Sequence, residues 1–148
     1  MKMIIDSHCH LNYEPMSLSL KDTITRANND GVKYLLTIST EDKTFDKILK
    51  IISDFNCVYG TYGIHPHEAK NHTSINSETI INKINLSQKI IGIGETGLDF
   101  YYNHSEKNDQ MKCFEEHITA AQITKKPLIV HTRNAENETL PSLDCQCA

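Results

Sequence analysis

Ile4-Ile5-Asp6-Ser7-His8-Cys9-His10, near the start of this 148-residue chain, joins an apolar β-branched run to two histidines one residue apart. In an extended strand, residues i and i+2 point to the same face, so Asp6, His8 and His10 are predicted to face one way. Two imidazoles on one face are a metal-binding arrangement, but an isolated His-x-His is about as often a pair of surface or core-edge histidines. The rest of the chain decides between these interpretations.

Short apolar, β-branched segments alternate along the chain with longer segments of helical period. The predicted strands are residues 3–6, 33–39, 57–62, 89–94 and 127–131, and the predicted helices are residues 18–29, 41–54, 76–86 and 107–125. This alternation favours a parallel sheet built by right-handed crossovers. A doubly wound sheet and part of a (β/α)₈ barrel both show this alternation. The barrel can only be a partial one, because a complete barrel needs about 250 residues.

Composition and charge describe an ordinary domain that we expect in the cytoplasm. No apolar run has the length of a membrane span, and polar residues come too early for a signal peptide. The five cysteines are an odd number and are mostly scattered, so no disulfide framework is predicted. The net charge of −4 argues against a general basic surface for nucleic acid, although bound cations can supply positive charge at a cleft.

Imidazoles and one carboxylate cluster where the predicted strands end: His8, His10, His65, His67, Glu95 and His131. Because the carboxyl ends of parallel strands share one edge of the sheet, these side chains are predicted to converge on one crevice. Neutral imidazoles mixed with carboxylates suit zinc, manganese or iron better than magnesium or calcium alone. Two such ions can activate a water for hydrolysis, with Glu95 as the expected bridging ligand.

Four motifs, in order along the chain, closely resemble those of the TatD family of metal-dependent deoxyribonucleases, which are TIM-barrel metallohydrolases. They are Ile5-Asp6-Ser7-His8-Cys9-His10-Leu11, Gly63-Ile64-His65-Pro66-His67, Gly92-Ile93-Gly94-Glu95-Thr96-Gly97-Leu98-Asp99-Phe100-Tyr101 and Val130-His131-Thr132-Arg133-Asn134-Ala135. The resemblance implies an α/β fold, namely the N-terminal portion of a TIM (β/α)₈ barrel with about five strands and four to five helices. It also implies two divalent metal ions (Zn, Mn or Mg) and hydrolysis of DNA phosphodiester bonds.

The resemblance also assigns residue roles. It makes His8, His10 and Glu95 ligands of one metal, with Glu95 bridging to a second metal that His131 also holds. It places the loop of His65 and His67 at the cleft, where His65 is expected to contact a phosphate during catalysis and His67 to contact substrate, although both residues also suit a simple turn.

Two further expectations concern other residues within these motifs. Arg133 has a guanidinium that suits a substrate phosphate, while a solvent-facing Arg is nearly as good an interpretation. Asp99 and Tyr101 are expected to orient the loop or to support the metal ligands.

The chain departs from the family pattern after about residue 139. TatD-like proteins continue for three more β/α units and supply another histidine and an aspartate, which this sequence does not contain. We therefore predict a partial barrel over residues 1–139 and a divergent tail over 140–148, as a frameshift or premature stop would produce. The alternatives are a non-catalytic remnant that at most binds metal or a partner chain, including a second copy through exposed barrel edges, and a hydrolase of other esters or amides.

Other signals favour structural interpretations. The G-x-G-x-x-G of Gly92, Gly94 and Gly97 lacks the helix that a dinucleotide-binding motif requires. Several other residues are predicted to be structural or solvated rather than ligands: His72, His104, His117, Cys145 and Cys147. A core stripe is predicted for the last helix: Met111, Phe114, Ile118 and Ala121.

Overall fold

Five strands pair in parallel in the order β1-β2-β3-β4-β5 and curl into half of a barrel in a computed structural model that describes residues 3–144. They are β1 (Ile4–Cys9), β2 (Val32–Thr37), β3 (Val58–Tyr62), β4 (Ile90–Asp99) and β5 (Leu128–Arg133). Helices connect them in the crossover pattern that parallel pairing demands. The predicted N-terminal portion of a (β/α)₈ barrel is confirmed.

The helices are α1 (Leu20–Asn29), α2 (Phe45–Asp54), α3 (Ser77–Ile84), α4 (Lys107–Thr124) and α5 (Glu136–Asp144). Short 3-10 helices precede three of them, at Met16–Ser19, Asp42–Thr44 and Pro66–Asn71. The Asn76 side chain accepts a hydrogen bond from the Thr79 N–H and so caps α3. Helix α5 lies outside the four predicted helix ranges and is the fifth of the four to five helices expected; Pro141 falls inside it.

The main core lies between one face of the sheet and helices α1 to α4. Strands and helices both contribute buried side chains to it: Leu35, Val58, Ile90, Ile93, Phe45, Ile48, Ile52, Ile80 and Ile84. Each such side chain stabilises the fold by about 1.5–3 kcal/mol relative to an exposed position. The predicted stripe on α4 is confirmed, since Phe114 and Ile118 are buried and Met111 and Ala121 pack partly buried against the core.

The opposite, concave face of the sheet is apolar and open. A hollow of about 380 Å³ lies there, lined by Ile5, Ser7, Tyr34, Leu35, Leu36, Tyr59 and Ile91. Among residues 3–144, none of the helices is both long enough and apolar enough to cross a membrane.

Strands β1 and β4 run further than the sequence predicts, so His8 and Glu95 lie within strands rather than after them. Gly94 and Gly97 have φ values of +130° and +137°, which L side chains rarely adopt. A Cβ on Gly97 would lie 2.0 Å from the His131 carbonyl oxygen. The glycines that resemble a dinucleotide-binding motif therefore serve the close approach of β5 to β4.

Candidate metal centre

The residues predicted to converge do so at the carboxyl end of the sheet. A cavity of about 490 Å³ is lined by His8, His10, Tyr13, Thr40, Glu41, Lys43, His65, His67, Glu68 and Glu95. His131 contacts Glu95 from the neighbouring strand β5. All six side chains predicted at the strand ends therefore belong to one site.

Glu95 occupies the centre of this site, with each carboxylate oxygen facing a different imidazole. Its Oε2 lies 3.4 Å from His8 Nε2, and its Oε1 lies 3.3 Å from His131 Nδ1. Burial alone would raise the pKa of Glu95, but the hydrogen bond with His131 and the nearby His65 and His8 rings lower it. Glu95 is therefore an ionised carboxylate with imidazoles on both sides.

His8, His10 and Glu95 form the first group of potential metal ligands, with one ligand atom from each lying within 4.8 Å of the others. His10 Nδ1 lies 3.2 Å from the Ile38 carbonyl oxygen. Because a carbonyl only accepts, His10 carries its proton on Nδ1 and keeps a lone pair on Nε2. Asp6 stands apart from this group, and its carboxylate accepts the His8 N–H at 3.1 Å.

His65, Glu95 and His131 form a second group of potential metal ligands, again with one ligand atom from each lying within 4.8 Å of the others. The His65 Nδ1 accepts the His67 backbone N–H at 3.2 Å, which fixes the start of the 3-10 helix Pro66–Asn71. Burial, and then the neighbouring His131, lower the pKa of His65 to about 4, so the ring is neutral at neutral pH. A neutral ring that accepts at Nδ1 carries its proton on Nε2, which makes His65 a donor rather than a metal ligand.

His131 bridges two carboxylates. Its Nδ1 faces Glu95 and its Nε2 lies 3.0 Å from Asp99 Oδ2. The hydrogen bond to Glu95 and the one to Asp99 raise the pKa of His131, although burial opposes them. His67 reaches the same Asp99 oxygen at 2.9 Å through Nε2. This arrangement accords with the expectation that Asp99 supports the site rather than forming its surface.

Arg133 lies at the end of β5, with its guanidinium carbon 5.1 Å from the centre of the Tyr102 ring. Tyr102 in turn stacks on His104 at a ring separation of 5.7 Å. His104, predicted to be solvated, lies with its ring 4.5 Å from that of His67. Arg133 is therefore held against an aromatic loop beside the site.

Sequence reasoning missed one wall of the cavity, made by Tyr13, Thr40, Glu41 and Lys43. The Tyr13 hydroxyl lies 2.6 Å from Thr40 Oγ1 and donates to Glu41 at 3.3 Å. A signal was present, because Thr40 and Glu41 directly follow the second predicted strand. The strand-end rule that found Glu95 applies equally there.

His117 and His72 are not part of the centre. His117 is fully buried, accepts the Ile64 N–H at 3.1 Å and donates to the Cys113 carbonyl at 2.7 Å. Its structural role was expected. His72 lines a separate hollow beside α4. Cys145 and Cys147, predicted to be a tail rather than a metal site, lie outside the described residues.

The half-barrel of parallel strands has the fold class of a (β/α)₈ barrel, and the imidazoles and the carboxylate at its carboxyl ends could hold metal ions. A profile of the family described as TatD related DNase matches residues 5–146. The chain belongs to this family, which confirms the resemblance of its four motifs.

Relatives agree with this placement. The chain is 38% identical over 148 residues to the "Uncharacterized metal-dependent hydrolase BU355" of Buchnera aphidicola, covering 95% of this chain and 56% of that protein. It is 29% identical over 143 residues to the "Uncharacterized metal-dependent hydrolase YcfH" of Escherichia coli, covering 95% and 53%. The crystal structure of YjjV, a TatD homolog from Escherichia coli, matches in fold with a TM-score of 0.81 at 23% identity, covering 96% and 55%. The chain thus spans about half the length of the relatives it matches.

Proposed function

We propose that this protein hydrolyses phosphodiester bonds of DNA with the help of two divalent cations. The observation that carries the proposal is the position of Glu95, whose two oxygens face His8 on one side and His131 on the other. A carboxylate with one oxygen toward each of two imidazole groups suits a ligand shared between two ions. The family description, TatD related DNase, supports DNA as the substrate.

The donor atoms of the described residues fit this assignment. His8, His10 and Glu95 would hold one cation, and Glu95 and His131 would hold the second, which is Zn, Mn or Mg in either case. Imidazole nitrogen mixed with carboxylate oxygen is a donor set that zinc and manganese accept well. When bound, the cations would supply an activated water and positive charge at the phosphate.

The side chains of this chain have separate tasks in the proposed reaction. His65, neutral and protonated on Nε2, donates a hydrogen bond to a phosphoryl oxygen of the substrate. His67, at the cavity wall, contacts the substrate beside it. Arg133 binds a phosphate of the strand, since its planar guanidinium can make two parallel hydrogen bonds. With a net charge of −4, the chain relies on the cations and these few groups to attract DNA.

Cleavage of DNA by the purified chain, with manganese or magnesium added, tests the proposal. We expect cleavage that chelator abolishes and that Glu95→Gln abolishes, because the amide cannot serve as an anionic bridge. Glu115→Gln, at an exposed position on α4, is the matched control and should cleave like the unaltered chain. Equal cleavage by Glu95→Gln would contradict the proposal, and hydrolysis of carboxylic esters or amides in place of DNA would replace its substrate.

A non-catalytic role is the second candidate, favoured by the open apolar face of the sheet. Ile5, Tyr34 and Ile91 are exposed there, an arrangement that a partner chain or a second copy would cover. Cation binding without any cleavage, together with a concentration-dependent dimer in sedimentation, would support this role over the first. A monomer that cleaves DNA would exclude it.

A further inference from the structure

Asp99 is a fully buried carboxylate that receives four hydrogen bonds. Its Oδ1 accepts the backbone N–H groups of Tyr101 and Tyr102, each at 3.1 Å. Its Oδ2 accepts His67 Nε2 at 2.9 Å and His131 Nε2 at 3.0 Å. One carboxylate therefore ties together two imidazoles that come from different segments of the chain.

This arrangement decides where each ring carries its proton. Two backbone N–H groups point at Asp99 Oδ1 and two ring nitrogens point at Oδ2, so the carboxylate is the acceptor in all four hydrogen bonds. Both rings must then donate from Nε2. A ring that carries both protons donates to Glu95 from Nδ1 and to Asp99 from Nε2. When the ring is neutral, the shorter contact, 3.0 Å to Asp99 against 3.3 Å to Glu95, keeps the proton on Nε2 and leaves the lone pair on Nδ1, the atom that faces Glu95.

We infer that Asp99 is a positioning residue that sets the tautomer of His131, so that this ring binds a cation through Nδ1. The inference deepens the proposed function and rests on it for the presence of the cation. Carboxylates that accept the second ring N–H of a metal-binding histidine orient the ring and make it a stronger ligand. Asp99 does this for His131 and holds His67 in the same tautomer.

The backbone around Asp99 keeps the carboxylate from turning. Gln110, itself buried, accepts the Asp99 N–H at 2.8 Å through Oε1 and donates to the Asp99 carbonyl at 3.1 Å through Nε2. The same Nε2 donates to the Ser105 carbonyl at 2.8 Å. Asp99 is thus fixed both at its backbone and at its carboxylate.

Substitution by asparagine should therefore reverse the tautomer rather than merely weaken a contact. The Tyr101 and Tyr102 N–H groups require an acceptor, so the side-chain oxygen of Asp99→Asn stays toward them. The amide NH₂ then faces the two rings and donates to them. His131 must accept at Nε2 and move its proton to Nδ1, where it blocks the atom that faces Glu95.

The first test is the tautomer itself, read by long-range ¹⁵N–¹H correlation NMR on the metal-free protein at alkaline pH. We expect the proton of neutral His131 on Nε2 in the unaltered chain and on Nδ1 in Asp99→Asn. A proton on Nδ1 in the unaltered chain would overturn the inference without any need for the variant to fold. The same tautomer in both proteins would also overturn it.

The second test is the affinity for zinc alone, measured by calorimetry. Asp99→Asn should bind zinc at least about tenfold more weakly, the loss typical of removing such a partner. Asp42→Asn is the matched control, because Asp42 also accepts side-chain hydrogen bonds, from Tyr62 and Lys83, but stands outside the cavity wall. Equal affinity in Asp99→Asn would contradict the inference. Failure of the unaltered chain to bind zinc would count against the proposed function, whereas the NMR result would still decide the tautomer.

Discussion

Strands β4 and β1 both bring ligands to the candidate metal centre, but they are supported very differently. In β4, eight of ten residues are buried, with only Ile91 exposed, and strands pair with it on both sides. In β1 no residue is buried, and among residues 3–144 only β2 pairs with it. One half of the site is therefore built on a buried strand that is paired on both sides, and the other half on a strand that, within residues 3–144, is paired on one side only.

The side chains reflect that difference. Glu95 on β4 has a side chain only 13% exposed. Its neighbour His131 contacts Asp99 through its other ring nitrogen. His8 on β1 has a side chain 43% exposed. The half built on β4 and β5 is therefore preorganised, while the half built on β1 has more freedom to move before a ligand binds.

The largest expected effect comes from breaking the close contact of β4 with β5. In Gly97→Ala the new Cβ would meet the His131 carbonyl oxygen at 2.0 Å, at a φ of +137°. We expect a loss of about 4 kcal/mol in the free energy of unfolding, measured by urea denaturation. Gly92→Ala is the control on the same strand, because the atom nearest to its Cβ, at 2.7 Å, would be the end of the flexible Ile129 side chain rather than backbone. Equal losses in the two variants would show that β4 does not depend on this approach.

A second pair of variants compares the two strands directly. Ile93 on β4 is 0% exposed and Ile5 on β1 is 57% exposed. Ile93→Ala should lower the free energy of unfolding by about 3 kcal/mol, because it leaves a cavity in the core. Ile5→Ala should lower it by less than about 1 kcal/mol. A similar loss from Ile5→Ala would mean that β1 is buried in solution, as a self-associated form would require.

A pH dependence should follow from His117, which supports the loop of His65 by accepting the Ile64 N–H. Burial lowers the pKa of His117 from 6.5 to about 4, so the unfolded chain binds its proton at a higher pH than the folded protein does. Stability should therefore fall as the pH drops from 6.5 to about 4, with this residue contributing about 3 kcal/mol of the loss.

Urea denaturation of the unaltered chain and of His117→Gln across this pH range checks the contribution. The glutamine can still accept the Ile64 N–H but does not titrate. The difference between the two proteins should shrink as the pH falls. A constant difference would show that His117 is not held neutral by the fold.

The smallest expected effect lies at the rim of the site. Arg133 contacts Tyr102 beside the cavity and is proposed to bind a substrate phosphate. Arg133→Gln should raise KM for DNA about tenfold and leave kcat nearly unchanged, since binding is lost equally in the ground and transition states. Steady-state kinetics on an oligonucleotide decides this. A fall in kcat with unchanged KM would place Arg133 in the chemical step.

The sequence predicts most of the fold because its local signals agree with the final packing. Predicted and observed bounds agree closely for the β-branched runs of β2, β3 and β5. They also agree for the helices with a clear apolar period, α2 and α4. The extension of β4 to Asp99 could not be predicted, because Gly94 and Gly97 look like turn residues until the approach of β5 is known. No range was given for helix α5, because the sequence from residue 140 onward shows no clear helical period.

The site was predictable as a set of residues but not as a network. The strand-end rule found Glu95 and His131 because parallel strands place their carboxyl ends together. It could not separate His65, whose Nδ1 accepts a backbone N–H, from the imidazoles that keep a lone pair toward the centre. Proton positions depend on partners such as Asp99, and these become visible only in three dimensions.

Anomalous X-ray diffraction from crystals soaked in manganese tests most directly whether Glu95 joins two groups of ligands at the end of the sheet. The predicted result is ion density in contact with Glu95, with His8 and His10 on one side and with His131 Nδ1 on the other. Ions bound only elsewhere on the protein, with none in contact with Glu95, would contradict it.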